Sequence, residues 1–565
     1  MIQKPDDAAH VDAPTAGRVH GASARAEMFR ESALYGVAIA LGYFFLLELY
    51  CDARAIGSKQ TTSSQRDGDG VALVNAVGNE AEDAESGLAR VDDAVEDDVD
   101  ERGQRRSTSG GARGFAACAM LDPIALRENR PAIQAAAELG VIMFLFWFCD
   151  RSGLVRDAKR AYDRDLFLAV FVALAAYGWK TALKKSKSTS ALHREQTEEM
   201  KGWMQVLFLL YHYFDAGEMY NLIRVFIAAY VWMTGFGNFS FYYVKKDFSA
   251  TRFAQMMWRL NFFVFVTCAV MKNDYMLYYI CPLHTLFTLF VFGALAIGRE
   301  KNSDPRWVYA KFACCFLLSV TLWEVPGLFK RVFRPFVFIF GYTNPAKPHG
   351  DPLHEWRFRS GLDRYVWIYG MMCAYAHPRY EAVLKWIDDR QSTRERYMYQ
   401  GGIIIVASMT LLWWWQTFMK MDKFAYNEWH PYTSWIPITA FILLRNATKA
   451  LRKHHIELFC ICGKVTLETY IAQFHIWLST AGVPNGQPKA LMSLVTGYPL
   501  LNLIFCSYIY VGISHRIFDV TNVLRSVCVP KESSDTVRAV TNAGIFMGTT
   551  FGLGAFMSLM FTGTV

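Results

Sequence analysis

Ile403-Ile404-Ile405-Val406-Ala407-Ser408-Met409-Thr410-Leu411-Leu412-Trp413-Trp414-Trp415 is a stretch without a charged residue, and it is one of many. A helix needs roughly 18–20 predominantly apolar residues to cross a hydrocarbon core of about 30 Å. Similar apolar cores occur along the chain, at Leu34–Leu49, Phe167–Tyr177, Phe262–Val270, Leu286–Ile297, Leu500–Ile513 and Gly544–Thr562. With the more polar runs included, hydropathy predicts an all-α, polytopic integral membrane helical bundle of about 11–13 transmembrane helices.

The composition agrees with a membrane protein and argues against a nucleic-acid partner. Hydrophobic residues make up 53% of the 565 residues, and the mean hydropathy is +0.13. The net charge of +8 comes from Lys and Arg in short flanks of the apolar runs, such as Lys184–Lys187, which is typical of juxtamembrane loops. The twelve Cys residues form no C-x-x-C pair and are predicted to pack as small hydrophobes. No metal site is expected.

Four segments are predicted along the chain. Residues 1–31 form a polar cytosolic or luminal tail, and residues 32–50 form the first transmembrane helix. Residues 51–130 are rich in Asp, Glu, Gly, Ser and Ala, with the acidic run Asp92–Glu101 inside. Because that composition buries too little apolar surface to offset the entropy of ordering the chain, a disordered acidic loop is predicted. Residues 131–565 form one multi-span membrane domain.

Ionisable residues at membrane depth are costly and point to function. The run Gly463–Leu478 carries three of them, Lys464, Glu468 and His475. Their spacing places them on one face of a helix, which Ser479 would continue. In one interpretation Lys464 and Glu468 pair near the helix entrance and His475 is a hydrogen-bonded core residue. In the other, His475 is a general base toward a hydroxyl, because an imidazole accepts protons near neutral pH.

A second group is the arginine cluster Arg357, Arg359 and Arg364, which precedes an apolar span. Arginine forks bind phosphate oxygens, so these side chains are candidates for holding a phosphorylated ligand. The alternative is an interfacial anchor in which an arginine pairs with Asp363. Either function would place the cluster at a membrane surface.

A third group surrounds Arg259 and His284. Gln255 and Arg259 are four residues apart and therefore neighbours on a helix, and Asp274 precedes Cys281-Pro282-Leu283-His284. A single His after Pro in an apolar helix is either packed and hydrogen-bonded or catalytic. The nearby charges of Arg259 and Asp274 favour a catalytic role for His284.

Several of these runs resemble one family. The blocks Thr251–Phe262, Asn273–Thr288, Phe358–Tyr365 and Gly463–Leu478 closely resemble the Reduced Wall Acetylation proteins of plants, and the resemblance covers Gly202–Arg525. The same membrane domain occurs in the animal sialate O-acetyltransferase and the fungal capsule O-acetylation protein. Residues 131–565 are therefore expected to be an acyltransferase-like membrane domain.

The resemblance implies a multi-pass Golgi membrane protein that uses acetyl-CoA to O-acetylate cell-wall polysaccharides. The catalytic candidates are then His475, Glu468 and His284. The candidates for binding acetyl-CoA are Arg357, Arg359, Arg364, Arg259 and Lys464.

Two functions stay open at this point. The animal and fungal relatives carry a luminal SGNH-type domain with a Ser, Asp and His triad, whereas the N-terminal insert here is the acidic stretch 51–130. The chain either acetylates the glycan itself or moves acetyl groups or acetyl-CoA across the Golgi membrane to a separate luminal SGNH-type acetyltransferase. A scaffold without chemistry is disfavoured, since it has no reason to bury ionisable residues. The expected partners are membrane lipid, acetyl-CoA, and a glycan acceptor or that luminal enzyme.

Overall fold

The computed structural model describes residues 31–49, 129–529 and 552. Within those ranges, α-helices account for almost all of the regular structure. In chain order they are α1 (Glu31–Leu49), α2 (Arg130–Arg151), α3 (Arg164–Ala182), α4 (Arg194–Phe214), α5 (Tyr220–Lys245), α6 (Ala250–Met271), α7 (Ile280–Ala296), α8 (Pro305–Glu324), α9 (Leu328–Phe333), α10 (Val337–Phe340), α11 (His354–Leu362), α12 (Val366–Asp388), α13 (Thr393–Trp414), α14 (Lys423–Thr433), α15 (Trp435–Asn446), α16 (Lys449–Lys453), α17 (Glu457–Lys464), α18 (Thr466–Ile476) and α19 (Pro499–Cys528).

Five short strands tie helix ends together. They are β1 (Arg156–Lys159), β2 (Leu183–Lys185), β3 (His454–Ile456), β4 (Leu478–Ser479) and β5 (Ala490–Ser493). One antiparallel sheet has the order β1-β5-β4, and β2 pairs with β3 in a second. The β4–β5 pairing brings the two ends of the Thr480–Lys489 connection together, directly beyond the end of α18.

The predicted all-α, polytopic membrane fold is confirmed. Eight of the described helical segments are long and apolar enough to cross a membrane, those that contain α1, α2, α3, α5, α6, α8, α13 and α19, and two shorter apolar helices are α7 and α15. Within these windows only 11% of α3 and 17% of the α13 segment is buried, so their apolar side chains are left for lipid. The predicted tail 1–31, the loop 51–130 and the span Gly544–Thr562 lie almost entirely outside the described residues.

Pairs of glycines let helix backbones touch in the interior. A β-carbon on Gly202 of α4 would lie 1.7 Å from the carbonyl oxygen of Phe459, and one on Gly463 would lie 2.0 Å from a backbone oxygen of α4. Gly235 of α5 and Gly370 of α12 form an equivalent crossing, with distances of 2.1 and 2.2 Å. Small residues at such crossings maximise packing between membrane helices, where water supplies no drive for association.

The predicted stripe Lys464–Ser479 is interrupted at both ends. α17 ends at Lys464 and α18 begins at Thr466, while Ser479 lies in β4. The single continuous helix expected from the spacing is therefore wrong, and only Glu468 and His475 share a helix. Local periodicity does not reveal the break, because the backbone turns without a proline or glycine between the two helices.

Candidate functional site

Three buried side chains from separate elements form a hydrogen-bonded group, called here the relay: Asp150, His475 and Tyr278. The Asp150 Oδ2 atom lies 2.9 Å from Nδ1 of His475, and the Tyr278 hydroxyl lies 2.5 Å from Nε2. An ionised carboxylate only accepts, so Nδ1 carries the proton and Nε2 of the neutral ring accepts from Tyr278. His475 and Tyr278 are both 0% exposed. The relay therefore holds one histidine tautomer in a water-poor setting.

The charge of Asp150 is compensated by groups near the end of α2. Its Oδ1 atom accepts from the backbone nitrogen of Thr480 at 2.7 Å and from the Thr480 hydroxyl at 2.8 Å. The neighbouring Arg151 places Nε 3.8 Å from Oδ2 and donates through Nη1 to Thr480 at 2.9 Å. A buried carboxylate is tolerated when it is paired and hydrogen-bonded in this way. Asp150 is thus held ionised, as the partner of His475.

Asn273 supports the other end of the relay. Its Nδ2 atom donates to the Tyr278 hydroxyl at 2.9 Å, which leaves the Tyr278 proton for His475. Its Oδ1 atom accepts from Arg151 at 3.0 Å and from the backbone nitrogen of Asn485 at 2.8 Å. Asn273 therefore connects Tyr278, Arg151 and the Thr480–Lys489 connection in one network.

Asn485 fastens two irregular segments over the relay. Its backbone has a φ of 59°, in the left-handed region that Asn tolerates better than most residues. Its Nδ2 atom donates to the carbonyl oxygen of Thr343 at 2.6 Å and to the carboxylate of Asp274 at 2.5 Å. Asp274 in turn accepts from the backbone nitrogen of Thr343 at 2.9 Å. Asp274, expected to favour catalysis by His284, instead pins these segments in place.

Glu468 pairs with Arg259 and does not orient His475. Arg259 donates to both carboxylate oxygens of Glu468 and, at 3.2 Å, to the carbonyl oxygen of Lys464. Glu468 is 1% exposed, and a small pocket between α6, α18 and α19 borders the ion pair. Although Glu468 and His475 share a helix, the carboxylate that orients His475 is that of Asp150. Arg259 locks α6 to the start of α18.

The three arginines of the cluster face different neighbours. Arg357 is exposed, Arg359 donates to Glu355 at 2.7 Å, and Arg364 pairs with Glu324 at 2.7 Å. Positions 357 and 359 of a helix are about 200° apart, and α11 ends before Arg364. The guanidinium groups therefore do not converge on one point inside the protein.

Three half-buried polar side chains, Arg359, Tyr279 and His212, lie near residues that neighbour the relay in sequence. The Arg359 guanidinium lies 4.4 Å from the ring centre of Tyr279, which directly follows Tyr278 of the relay. On the facing side, Nδ1 of His212 donates to Gln473 Oε1 at 3.2 Å, two residues before His475. Arg359, Tyr279 and His212 are each only partly exposed. These half-buried side chains, called here the vestibule, contact residues that are close to Tyr278 and His475 in the chain.

His284 lies apart from the relay. Its Nδ1 atom is 2.7 Å from the hydroxyl of Thr234 on α5, so its hydrogen bond joins α7 to α5. The sequence missed Asp150 and Tyr278, which complete the relay. Asp150 could have been identified from the sequence, because it lies in the last turn of an apolar span. Carboxylates within membrane segments usually have a functional role. Nothing in the sequence distinguishes Tyr278 from the other tyrosines, of which the chain has 28 in all.

The relay has the parts of a general acid–base catalyst. A buried carboxylate fixes the tautomer and stabilises the imidazolium that forms when Nε2 takes a proton. Removal of a proton from a hydroxyl at Nε2 turns that hydroxyl into a nucleophile. No phosphate contact and no serine nucleophile is needed for such a step at His475.

Comparison with known proteins agrees with this chemistry. Residues 96–541 match the family described as the 10 TM acyl transferase domain found in Cas1p. The chain is 31% identical over 441 residues to the N-acetylneuraminate (7)9-O-acetyltransferase of Danio rerio, covering 75% of this chain and 54% of that protein. It thus spans about half the length of this relative. No solved structure gives a significant match. The whole relay lies inside the matched residues, and the chain belongs to this family of multi-span membrane acyl transferases.

Proposed function

We propose that this protein transfers acetyl groups from acetyl-CoA to glycan hydroxyls at the Golgi membrane, with cell-wall polysaccharides as acceptors in the manner of the plant Reduced Wall Acetylation subgroup. The observation that carries the proposal is the relay, because it supplies an oriented general base beside a charged vestibule. The zebrafish relative is named as an O-acetyltransferase. Acetyl transfer to oxygen is therefore the reaction class that the site and the relative share.

In the proposed reaction, the acceptor hydroxyl replaces the Tyr278 hydroxyl at Nε2 of His475. The proton passes to Nε2 while the acceptor oxygen attacks the thioester carbonyl carbon, and Asp150 stabilises the imidazolium. The tetrahedral intermediate then collapses, the carbon–sulfur bond breaks, and the imidazolium returns the proton to the CoA thiolate. The products are an O-acetyl ester and free CoA.

Acetyl-CoA is proposed to enter by the vestibule. Arg359 is part of it, and the exposed Arg357 and the half-buried Arg364 are proposed to contact the phosphates of CoA. Arg259 and Lys464 stay candidates for the same ligand, at the start of α18. Arg259 donates both to the Lys464 carbonyl oxygen and to the Glu468 carboxylate, so ligand binding at Arg259 would be coupled to the helix that carries His475.

The second candidate function is acetyl translocation to a separate luminal enzyme. The complete burial of His475 favours this function, because a polysaccharide reaches a buried side chain less easily than a small acetyl group does. In this function Nε2 of His475, or a ring nitrogen of His284, attacks the thioester carbonyl carbon, and the carbon–sulfur bond breaks. The proton of the other ring nitrogen passes to the leaving CoA thiolate, so that the histidine carries the acetyl group as an acyl-imidazole and CoA leaves as the thiol. A luminal SGNH-type acetyltransferase would then take the acetyl group from the histidine.

One experiment separates the two functions. Purified protein is reconstituted in sealed vesicles with acetyl-labelled acetyl-CoA outside and a xylan oligosaccharide inside. Label on the oligosaccharide supports the transferase, and label inside as a small molecule supports translocation. Label on the protein that disappears in His475→Ala supports an acyl-imidazole.

The matched control is His454→Ala, which removes a half-buried histidine whose ring bonds the nearby Ala450 carbonyl oxygen. Full activity of His475→Ala in all three assays would overturn the assignment of the relay. Equal loss in both variants would point to a general defect of the preparation.

A further inference from the structure

We infer that His455, Glu457 and Cys460 form a Zn²⁺ site at the start of α17, although the sequence predicts no metal. One ligand atom from each of these three side chains lies within 4.8 Å of the other two. Zn²⁺ binds the imidazole, carboxylate and thiolate groups that these residues offer. The site lies apart from the relay and has no part in the proposed acetyl transfer.

The local fold sets the three groups side by side. His455 lies in β3, where it pairs with Lys184 of β2, and α17 begins two residues later. Glu457 and Cys460 are three residues apart in the first turn of α17, so they share one face of the helix. Their orientation results from the strand-to-helix turn, which places the strand side chain over the first helical turn.

The hydrogen bonds of His455 select the nitrogen that faces the site. Its Nδ1 atom lies 2.7 Å from the hydroxyl of Ser186, and its Nε2 atom lies 3.2 Å from Oε2 of Glu457. Metal-binding histidines almost always use one nitrogen for the metal and the other for such an outer partner. Ser186 therefore holds the ring in the orientation that a metal at Nε2 requires.

Burial and charge favour a cation at this point. His455 is 4% exposed and Cys460 is 3% exposed, so ligand atoms here are protected from competing water. The carboxylates of Glu199, Glu457 and Glu198 all act on the Cys460 thiol, and the Oε2 atom of the 4%-exposed Glu198 is buried without a hydrogen-bond partner among the described residues. Glu198 is paired with Lys201 and Glu199 with Arg445, so a divalent cation would offset the charge of Glu457 and of the Cys460 thiolate.

The three ligand atoms would have to move slightly closer together to bind Zn²⁺. A tetrahedral Zn²⁺ with bonds of about 2.0–2.3 Å holds its ligand atoms about 3.3–3.6 Å apart. The His455–Glu457 pair is slightly closer than that spacing, at 3.2 Å, while Cys460 now donates to the carbonyl oxygen of Glu195 at 3.2 Å. On binding, the thiol gives up its proton to solvent and Sγ turns from that carbonyl to the metal. The fourth position is left for water.

The consequence is a clamp on the segment that leads to His475. β3 and the first turn of α17 become one rigid unit, and α17 packs on α4 through the Gly202–Gly463 crossing. The metal would thus stabilise the fold without contacting substrate.

The test measures metal in the full-length protein purified in detergent. The protein is stripped with a chelator, reloaded with Zn²⁺ or Co²⁺, freed of excess ion and measured by mass spectrometry of the metal. We expect about one equivalent per chain, and with Co²⁺ a thiolate-to-metal charge-transfer band that needs no variant to interpret. Reloaded protein without bound metal, or with Co²⁺ but no thiolate band, would overturn the proposal.

The chain offers matched controls for the ligands. Cys460→Ser and His455→Ala are expected to lower metal affinity by about tenfold or more. Cys462→Ser and His454→Ala, which alter the same residue types beside the site, are expected to bind as the wild type does. Equal binding by Cys460→Ser and Cys462→Ser would also overturn the site.

Discussion

Two buried clusters of ionisable groups in this protein differ in how completely they are hydrogen-bonded. In the relay, both oxygens of Asp150 and both ring nitrogens of His475 have partners. The second cluster, called here the Arg224 cluster, joins Arg224 to Asp363 at 3.2 Å and His430 to the same carboxylate at 3.5 Å. Its members are also almost fully buried, at 1%, 1% and 0% exposed.

The Arg224 cluster leaves several polar atoms unsatisfied. Among the described residues, Nε and Nη1 of Arg224, Oδ1 of Asp363 and Nε2 of His430 have no hydrogen-bond partner. Each such buried atom costs about 1–3 kcal/mol. The relay is therefore fixed in a single geometry, as catalysis requires, whereas the Arg224 cluster depends on one ion pair. Substitutions in the first should reduce rate, and substitutions in the second should reduce stability.

The largest expected effect is on rate, from Asp150→Asn. An amide does not stabilise the imidazolium and can present its NH₂ to Nδ1, which forces the wrong tautomer. Acetyl transfer should fall about 10²–10⁴-fold, the range for a general acid–base group. Initial rates in vesicles give the measurement, with Cys149→Ala on the same turn as the control. A rate within threefold of the wild type would contradict the relay.

A large loss of stability is expected from Asp363→Asn in the Arg224 cluster. The variant leaves Arg224 buried without a counter-charge, and breaking a buried pair from one side costs about 3–5 kcal/mol. The free energy of unfolding in mixed micelles measures it. The double variant Arg224→Met with Asp363→Leu should recover most of the loss, because no orphan charge is left. A double variant less stable than the single one would show that the cluster has a role beyond charge pairing.

A smaller effect on rate is expected from Tyr278→Phe. The hydroxyl holds Nε2 of His475 in place but is displaced by the acceptor, so the rate should drop about tenfold, or 1.4 kcal/mol in barrier. Single-turnover acetylation isolates this step. Tyr275→Phe, which lies in the same 3-10 turn, Tyr275–Tyr278, is the control for local packing. A loss as large as that of Asp150→Asn would instead make Tyr278 an obligatory proton carrier.

The smallest effect is expected from the exposed Arg357→Ala. The proposed phosphate contact is open to water, so KM for acetyl-CoA should rise only about threefold, while kcat stays near the wild-type value. The effect should shrink as salt is added. Arg306→Ala, another exposed arginine, controls for net charge. A change in kcat with an unchanged KM would remove Arg357 from the CoA site.

The periodicity of the sequence predicted features of single helices, but it predicted few of the contacts between helices. The apolar spans and His475 could be identified because each is a property of a short local run. The partner of His475 is 325 residues away in the chain, and the partner of Glu468 is 209 residues away. Such pairs depend on how helices cross, and hydropathy does not report a crossing, as the close contact of α4 and α17 at Gly202 and Gly463 also illustrates. Tertiary packing thus decided the site.

The long separation of Asp150 from His475 also has a consequence for synthesis. A ribosome adds about 5–20 residues per second, so α2 waits about 15–65 s before its histidine has been made. During that time the carboxylate sits at the end of a membrane span, with only Arg151 beside it in the nascent chain. A chain that ends before residue 475 lacks both His475 and Thr480, so Asp150 keeps Arg151 beside it but loses the partners that hydrogen-bond its two oxygens. Such a truncated chain therefore differs from the finished protein by an incompletely hydrogen-bonded carboxylate at the end of a membrane span.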